Sequence, residues 1–181
     1  LLQEAVDIAD EFLSDNKLIV YTEGLHAPRV NYYSKREGLF ETGDITILMD
    51  ETSASASEVL AGALQDWDRA KVVGRRSYGK GLVQQVRDLT YNTKLKVTVA
   101  KYYIPSGRCI QALDYTHKDD EGRVDKVPDS LITAFKTKNG RTVYDGAGVL
   151  PDFKTDAVKY SQALAVLFSK NYIFSYVNQF V

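Results

Sequence analysis

The chain has 181 residues, of which 44% are hydrophobic and 26% are charged, and its formal net charge is -1. A chain of this size can bury a sizeable core, and its composition is that of an ordinary globular protein without the excess positive charge of a nucleic-acid binder. Its single cysteine, Cys109, excludes an internal disulfide, and no group of cysteines and histidines has the spacing of a metal site, so we expect neither a disulfide framework nor a zinc site.

The sequence carries no targeting or membrane signal that we can identify. No apolar run approaches the roughly 20 residues that a membrane-spanning helix needs. Acidic residues recur through the first helical stretch, which argues against a signal peptide there. Because the chain starts at Leu1 rather than at methionine, we expect it to be a piece of a longer protein.

The first half of the chain alternates helices and strands. Apolar residues at helical spacing indicate the helices, and compact apolar runs bounded by glycine or aspartate indicate the strands. The expected elements are a helix at 2–14, a strand at 17–24, an excursion with a short strand or hairpin at 26–43, a buried strand at 44–50, a helix ending near 68 and a strand at 70–74. This order predicts an α/β core with parallel strands.

The second half of the chain is richer in strands and loops. The expected elements are a glycine-punctuated loop at 74–81, an antiparallel hairpin of strands at 82–89 and 94–104, a turn at 105–108, an exposed or mobile insertion at 116–126, a loop at 147–153, a helix from about 156 and an aromatic end at 172–181 that packs back on the domain. No linker divides the chain, so we expect one domain over residues 1–181.

Three serines alternate with small residues in DETSASASEVLAG, residues 50–62, immediately before a predicted helix. Ser55 and Glu58 match a capping box worth about 1 kcal/mol, and on this stretch alone a helix cap is favoured over a nucleophile. The small neighbours nevertheless leave space for a second molecule, and free N–H groups at a helix start stabilise anions. Such a place suits an oxyanion hole, so both interpretations stay open.

A nucleophilic serine needs a base, and histidine is the usual one. His26 and His117 lie in segments expected to be loops, and we interpret both as surface residues. A lysine can replace histidine where burial or a neighbouring positive charge lowers the lysine pKa. Lys80 has the most suitable surroundings, between two glycines and after two arginines in GRRSYGKG, although a solvated loop lysine is the simpler interpretation.

Four stretches in this order, SASASEVLAGALQD, VVGRRSYGKGLVQ, YYIPSGRCIQ and GAGVLPDF, closely resemble motifs of the carboxyl-terminal processing peptidases, also called tail-specific proteases. The resemblance covers roughly residues 1–153. It implies a crotonase-like or ClpP-like α/β core, with a parallel-rich sheet plus an antiparallel hairpin. It also implies a serine endopeptidase that cleaves proteins near their C-terminal tails through a serine–lysine dyad and an acyl-enzyme.

The resemblance also implies a role for individual residues. Matched to the family's motifs, Ser55 is the nucleophile and Lys80 the general base. Gln84 falls on the polar residue that orients the lysine, and the backbone N–H of Ala56 on one oxyanion donor. The site then needs no metal and no cofactor.

Two parts of the family's architecture have no counterpart in these residues. A Gly-Gly loop that supplies the second oxyanion donor, and a PDZ domain that captures the substrate's tail, both lie upstream of the matched region in the family. Removing one oxyanion donor can reduce the rate on the order of 100- to 1000-fold, so we expect this chain alone to be weak or inactive.

The resemblance further implies partners and a location. We expect a protein or peptide substrate with an exposed C-terminal tail, the PDZ domain of the parent chain, no nucleic acid and, as an option, a homo-oligomer. The implied location is the bacterial cell envelope, in particular the periplasm.

Three alternatives stay open at this point. The same core could serve as a non-catalytic module that binds peptides or apolar ligands. It could also be a crotonase-like enzyme acting on an acyl thioester, which does not require a paired serine and lysine. Within the peptidase interpretation, Lys94 and Lys101 on the strand after the lysine loop are weaker candidates for the base.

Overall fold

The computed structural model describes residues 1–14, 16–119, 121, 123–157 and 161–179. The elements are α1 (Leu2–Asp10), β1 (Leu18–Gly24), β2 (Ala27–Tyr33), β3 (Thr46–Met49), α2 (Ala56–Asp66), β4 (Lys71–Gly74), β5 (Leu82–Asp88), β6 (Lys94–Tyr103), β7 (Leu113–Lys118), β8 (Val124–Lys126), a short 3-10 helix (Asp129–Leu131), β9 (Ala134–Lys136), β10 (Thr142–Tyr144), β11 (Phe153–Lys154), α3 (Gln162–Ser169) and α4 (Tyr172–Val177).

A three-stranded parallel sheet, in the order β11-β4-β3, carries the loops of the candidate site. Helix α2 connects β3 to β4, and residues from both strands pack with it in one buried cluster that includes Met49, Ala61 and Val72. Met49 pairs with Gly74, so β3 and β4 end at the same edge of the sheet. The serine turn and the lysine loop therefore leave the sheet side by side.

A four-stranded antiparallel sheet, in the order β2-β1-β6-β5, forms the second layer of strands. Strand β1 joins the long β6 through pairs such as Tyr21 with Tyr103, whose rings stack with centroids 4.8 Å apart. Strand β5 pairs only with β6 among the described strands, and it starts directly after the lysine loop. Two further hairpins, β7–β8 and β9–β10, follow.

Helix α2 belongs to both buried clusters of the core. One cluster lies between α1, α2 and β1, and the other lies between α2, the parallel sheet and the segment before β11. Their buried members are Val6, Ala9, Leu13, Ile19, Val20, Val59, Ala63, Leu64 and Ala70 in the first, and Met49, Ala61, Val72, Ile104, Ile110 and Val149 in the second.

Most predicted elements are confirmed, but four expectations are wrong. Helix α1 ends at Asp10 rather than at residue 14. The strand at 44–50 is buried on one face only, because α2 covers only that face and Leu48 on the other is 79% exposed. The charged insertion is exposed along most of its described side chains, as expected, and it forms the hairpin β7–β8, with two of its residues outside the described part. The helix expected from about residue 156 starts at Gln162, and no residue of α3 or α4 is buried, so the described part of the aromatic end, residues 172–179, does not pack into the core.

The architecture is a mixed α/β fold, as expected, but its balance differs from the prediction. The parallel sheet has three strands, and antiparallel pairing extends over one four-stranded sheet and two separate hairpins rather than over a single hairpin. Within the described residues, no helix combines the length and the hydropathy that crossing a membrane requires.

Candidate active site

Ser55 occupies a strained position between strand β3 and helix α2. It is the N-cap of α2, with φ 57° and ψ −112°, a left-handed conformation that usually requires glycine. A non-glycine residue held there costs on the order of 1–3 kcal/mol, and such strain clusters at functional sites. The serine is half-buried at a helix start, and the adjacent N–H of Ala56, the first helical residue, has no acceptor within its own helix.

The capping box predicted from the sequence is present, but its two halves differ. The Glu58 carboxylate accepts a hydrogen bond from the backbone N–H of Ser55 at 2.8 Å. The side chain of Ser55 lies near the N–H of Glu58 without forming a regular cap hydrogen bond, and that N–H instead donates to the Ser55 carbonyl at 2.9 Å. The cap therefore does not commit the Ser55 hydroxyl to its own helix.

Glu58 also binds the lysine loop, which the sequence did not reveal. Its side chain is 0% exposed. One oxygen, Oε1, accepts from the Ser77 hydroxyl at 2.5 Å and from the N–H of Gly79 at 2.6 Å. The other oxygen, Oε2, accepts from the N–H groups of Ser55 and Lys80, both at 2.8 Å. The backbones of the candidate nucleophile and base therefore meet on a single oxygen atom.

Glycines allow the lysine loop to lie this close to its neighbours. Gly79 has φ +85°, and a Cβ there would lie 2.3 Å from the Cβ of Ala112. A Cβ on Gly81 would lie 2.6 Å from the N atom of Gln111, whose side-chain oxygen accepts the N–H of Gly81 at 2.8 Å. The N–H of Tyr78 also donates to the carbonyl of Ser53 at 3.0 Å, which adds a second direct link between the loop and the serine turn.

Lys80 and Gln84 line one cleft of about 730 Å³ beside the serine turn. Ala54, the residue before Ser55, contributes to its wall. The other lining residues are Glu51, Thr52, Tyr78, Gly79, Leu82, Lys96, Gln111, Leu113 and Tyr115. The structure thus brings Lys80, Gln84 and the turn that carries Ser55 to one concave surface.

Lys80 and Gln84 form no side-chain hydrogen bond with each other among the described residues. Lys80 and Gln84 are exposed, and within the described residues no hydrogen bond joins Lys80 to the Ser55 hydroxyl. The two preceding arginines point to other partners: Arg75 Nε donates to Glu51 at 2.6 Å, and Arg76 Nε donates to the carbonyl of Ala147 at 2.5 Å. Neither of these two contacts involves the Lys80 side chain.

The other candidate bases lie elsewhere. His26 is in the turn between β1 and β2 and lines a separate cavity of about 630 Å³ with Lys101. The backbone of His117 is in β7, and its side chain is outside the described part. Lys94 pairs with Asp88 at 2.9 Å on the β5–β6 ribbon. Of the side chains that the structure describes here, those of His26, Lys94 and Lys101 do not line the cleft of Lys80.

The described residues contain no candidate metal site. No group of three or more His, Cys, Asp or Glu side chains in that part of the chain could hold a metal ion. Cys109 is half-buried, and burial raises the pKa of its thiol, which disfavours the reactive thiolate.

Sequence reasoning missed Glu58 and Ser77 as parts of this site. The Ser-x-x-Glu spacing identified only the local partner of Glu58, because a capping box is defined within one helical turn. The three donors at residues 77–80 reach it from the next strand-to-loop junction, which no periodic pattern signals. The serine and the glycine-flanked backbone at residues 77–80 offered one clue. A buried carboxylate without a cation needs several N–H or O–H donors, and such a loop supplies them.

Comparison with known proteins identifies relatives of this chain. The chain is 42% identical over 117 residues to a carboxy-terminal-processing protease of Bartonella bacilliformis, covering 64% of this chain and 27% of that protein. It is 43% identical over 110 residues to the chloroplastic carboxyl-terminal-processing peptidase 3 of Arabidopsis thaliana, covering 59% of this chain and 20% of that protein. The chain thus spans about a quarter of the length of these curated relatives.

Solved structures match a larger share of the fold. The photosystem II D1 C-terminal processing protease superposes with a TM-score of 0.62 and 29% identity, covering 86% of this chain and 31% of that one. A putative S41 protease from Bacteroides fragilis gives a TM-score of 0.55 at 11% identity, covering 86% of this chain and 34% of that one, which supports the fold alone. The family model of peptidase family S41 matches residues 1–118. The chain therefore belongs to peptidase family S41.

Proposed function

We propose that this chain is the catalytic core of a serine endopeptidase that cleaves proteins near their C-terminal tails. The observation that carries the proposal is the shared Glu58 oxygen, which holds the N–H groups of Ser55 and Lys80 less than two hydrogen-bond lengths apart. The curated relatives, named as carboxyl-terminal processing enzymes, give the reaction class.

In the proposed mechanism, neutral Lys80 accepts the hydroxyl proton of Ser55 as Oγ attacks the scissile carbonyl carbon. The N–H of Ala56 donates to the oxyanion that forms. The C–N bond then breaks, the protonated Lys80 gives its proton to the leaving amine, and an acyl-enzyme remains. Lys80 next accepts a proton from the water that attacks the acyl carbon. The ester C–O bond then breaks, and the protonated Lys80 returns its proton to Ser55 Oγ. Gln84 orients Lys80 in both steps.

Because Lys80 is exposed, the proposed mechanism also requires the bound substrate to shield the lysine from water. A peptide that fills the cleft excludes water from the Lys80 amine, which favours its neutral form. Strand β5 offers a route for such a peptide, because it is an edge strand and its residues Leu82 and Gln84 line the cleft. An extended substrate added to this edge reaches the serine turn.

The remaining parts of the proposal rest on the family resemblance alone. We propose that residues 1–181 form one catalytic domain, and that other parts of the parent protein supply the second oxyanion donor and a tail-binding PDZ domain. We also propose that the protein works in the bacterial cell envelope. A homo-oligomer remains an option.

A fluorophosphonate probe tests the dyad in the protein that contains this chain. We expect the probe to label the protein at Ser55, and labelling to be lost in Ser55→Ala and in Lys80→Ala. Ser57→Ala and Lys101→Ala serve as matched controls for a neighbouring serine and a lysine outside the cleft, and both should label normally. Labelling that persists in Ser55→Ala and Lys80→Ala would exclude the dyad, and peptide binding without labelling or cleavage would favour a non-catalytic module.

A further inference from the structure

The segment from Gly146 to Asp152 packs directly on the lysine loop, although it lies beyond the residues that the family model matches. The N–H of Gly148 donates to the carbonyl of Ile110 at 3.0 Å, and Arg76 holds the carbonyl of Ala147. The N–H of Asp152 donates to the carbonyl of Val72 in β4 at 2.8 Å. This segment, which we name the C-terminal brace (residues 146–152), is therefore fixed to the catalytic scaffold.

Ser77 is the contact between the brace and Glu58. Its backbone N–H donates to the carbonyl of Val149 at 3.1 Å, and its hydroxyl accepts from the N–H of Val149 at 2.7 Å. Since a hydroxyl has one proton, and this one receives the Val149 N–H, its own proton is directed to Glu58 Oε1 at 2.5 Å. Gly148, with φ +69°, gives the hydroxyl its space, because a Cβ there would lie 2.6 Å from the Ser77 oxygen.

We infer that Ser77 is a positioning residue for the Ser55–Lys80 pair. A hydrogen-bond chain runs from the Val149 N–H through the Ser77 hydroxyl to Glu58, and the brace thereby fixes the rotation of the carboxylate. Because the same carboxylate binds the N–H groups of Ser55 and Lys80, its rotation sets the spacing of the two loops. This inference rests on the proposed function.

The test compares Ser77 with another buried serine whose hydroxyl also accepts one backbone N–H and donates one hydrogen bond. The Ser34 hydroxyl, also buried, accepts from the N–H of Lys17 at 2.8 Å and donates to the carbonyl of Ser14 at 2.8 Å, away from the cleft. Ser77→Ala, Ser77→Thr and Ser34→Ala are made in the protein that contains this chain. For each, the maximal rate of fluorophosphonate labelling, kinact, is separated from the half-saturating probe concentration, KI.

We expect Ser77→Ala to lower kinact on the order of 10- to 100-fold, because a small misplacement of reacting groups has effects of that size, while KI stays within about twofold. In Ser77→Thr, which keeps the hydroxyl, kinact should stay within about threefold of the parent value. Ser34→Ala should leave kinact unchanged. Equal kinact in Ser77→Ala and Ser34→Ala, or no restoration by threonine, would overturn the inference.

Hydrogen exchange separates this inference from the proposed function. The amides of Gly79 and Lys80 should exchange faster in Ser77→Ala than in the parent, and should not change in Ser34→Ala. If the parent protein is not labelled at all, the proposed peptidase fails, and exchange at these two amides still decides whether Ser77 positions the loop. Unchanged exchange in Ser77→Ala would contradict the inference by itself.

Discussion

Helix α2 has a buried carboxylate at each end, and the two are satisfied in different ways. Glu58, at the start, accepts three backbone N–H groups and one hydroxyl, and no cation contacts it among the described residues. Asp66, at the end, pairs with the buried Arg108 at 2.9 Å and accepts the N–H of Ser106 at 2.9 Å.

The difference separates the candidate active site at Glu58 from a structural ion pair at Asp66. At Asp66, burial raises the pKa of the carboxyl and lowers the pKa of Arg108, while each charge opposes the shift of its partner. A buried pair of this kind tethers the helix end to one turn of the chain. At Glu58, neutral donors from two separate loops converge, so the carboxylate orients backbone without placing a fixed cation beside the cleft. The first arrangement holds the helix end in the fold, and the second, in the proposed mechanism, also sets the distance between the backbones of Ser55 and Lys80.

The largest effect is expected for Glu58→Ala. It leaves four donors without an acceptor, so the free energy of unfolding should fall by about 4 kcal/mol or more. Labelling of the molecules that still fold should fall by about 1000-fold, because both loops lose their shared anchor. Urea unfolding and kinact measure the two quantities. Near-normal labelling of folded Glu58→Ala would show that the carboxylate only caps its helix.

Asp66→Asn should give a large loss of stability with little loss of chemistry. It leaves the buried Arg108 without its counter-charge, which should lower the free energy of unfolding by about 3 kcal/mol. Labelling per folded molecule should stay within about threefold of the parent. The double variant Asp66→Asn with Arg108→Gln should be more stable than Asp66→Asn alone. A strong loss of kinact in the folded single variant would erase the distinction between the two ends of α2.

Gly79→Ala tests how closely the lysine loop must lie to its neighbours. Gly140 has nearly the same φ, +83° against +85°, but nothing lies within 4 Å of its added Cβ. Gly140→Ala should therefore lower the free energy of unfolding by about 1 kcal/mol through strain alone. Gly79→Ala should lower it by about 2 kcal/mol and also reduce labelling, because its Cβ meets Ala112. Equal effects of the two variants would rule out a role for the close contact.

The smallest effect is expected at Asp68, just beyond the Asp66 end of α2. Burial raises the pKa of this carboxyl, but hydrogen bonds from the Asn139 N–H and from Arg141 outweigh it, so the pKa lies below its ordinary value. The stabilisation is then present above that ordinary value and is lost as the pH falls through the folded-state pKa. Asp68→Asn should lower the free energy of unfolding by about 1 kcal/mol at pH 6. The difference in the free energy of unfolding between the parent and Asp68→Asn should narrow below about pH 4. A difference that does not change with pH would contradict this assignment.

The sequence predicts the elements around the site better than the contacts within it. The run from β3 through α2 to β4, and the β5–β6 hairpin, follow from apolar periodicity and glycine positions. Leu48 shows the limit of this reasoning, because an apolar run does not reveal whether one or both faces of its strand are covered.

The contacts of the candidate site also fall into two groups, one that the sequence predicts and one that it does not. The spacing of Ser55 and Glu58 predicts the cap, since both partners lie within one helical turn. The hydrogen bonds from residues 77–80 to Glu58 depend on where β3 and β4 end relative to each other, which is a tertiary property. The positive φ of Ser55 was likewise not predictable, because serine carries no local preference for that conformation.

The pairing of Ser55 with Lys80 can be measured as one distance. A crystal structure of the protein that contains this chain, with a peptide-like inhibitor bound at Ser55, gives the separation of Lys80 Nζ and Ser55 Oγ. We expect about 3 Å, with Gln84 in contact with the lysine. A lysine that stays in solvent, or a different basic side chain within hydrogen-bond reach of Ser55 Oγ, would contradict the dyad.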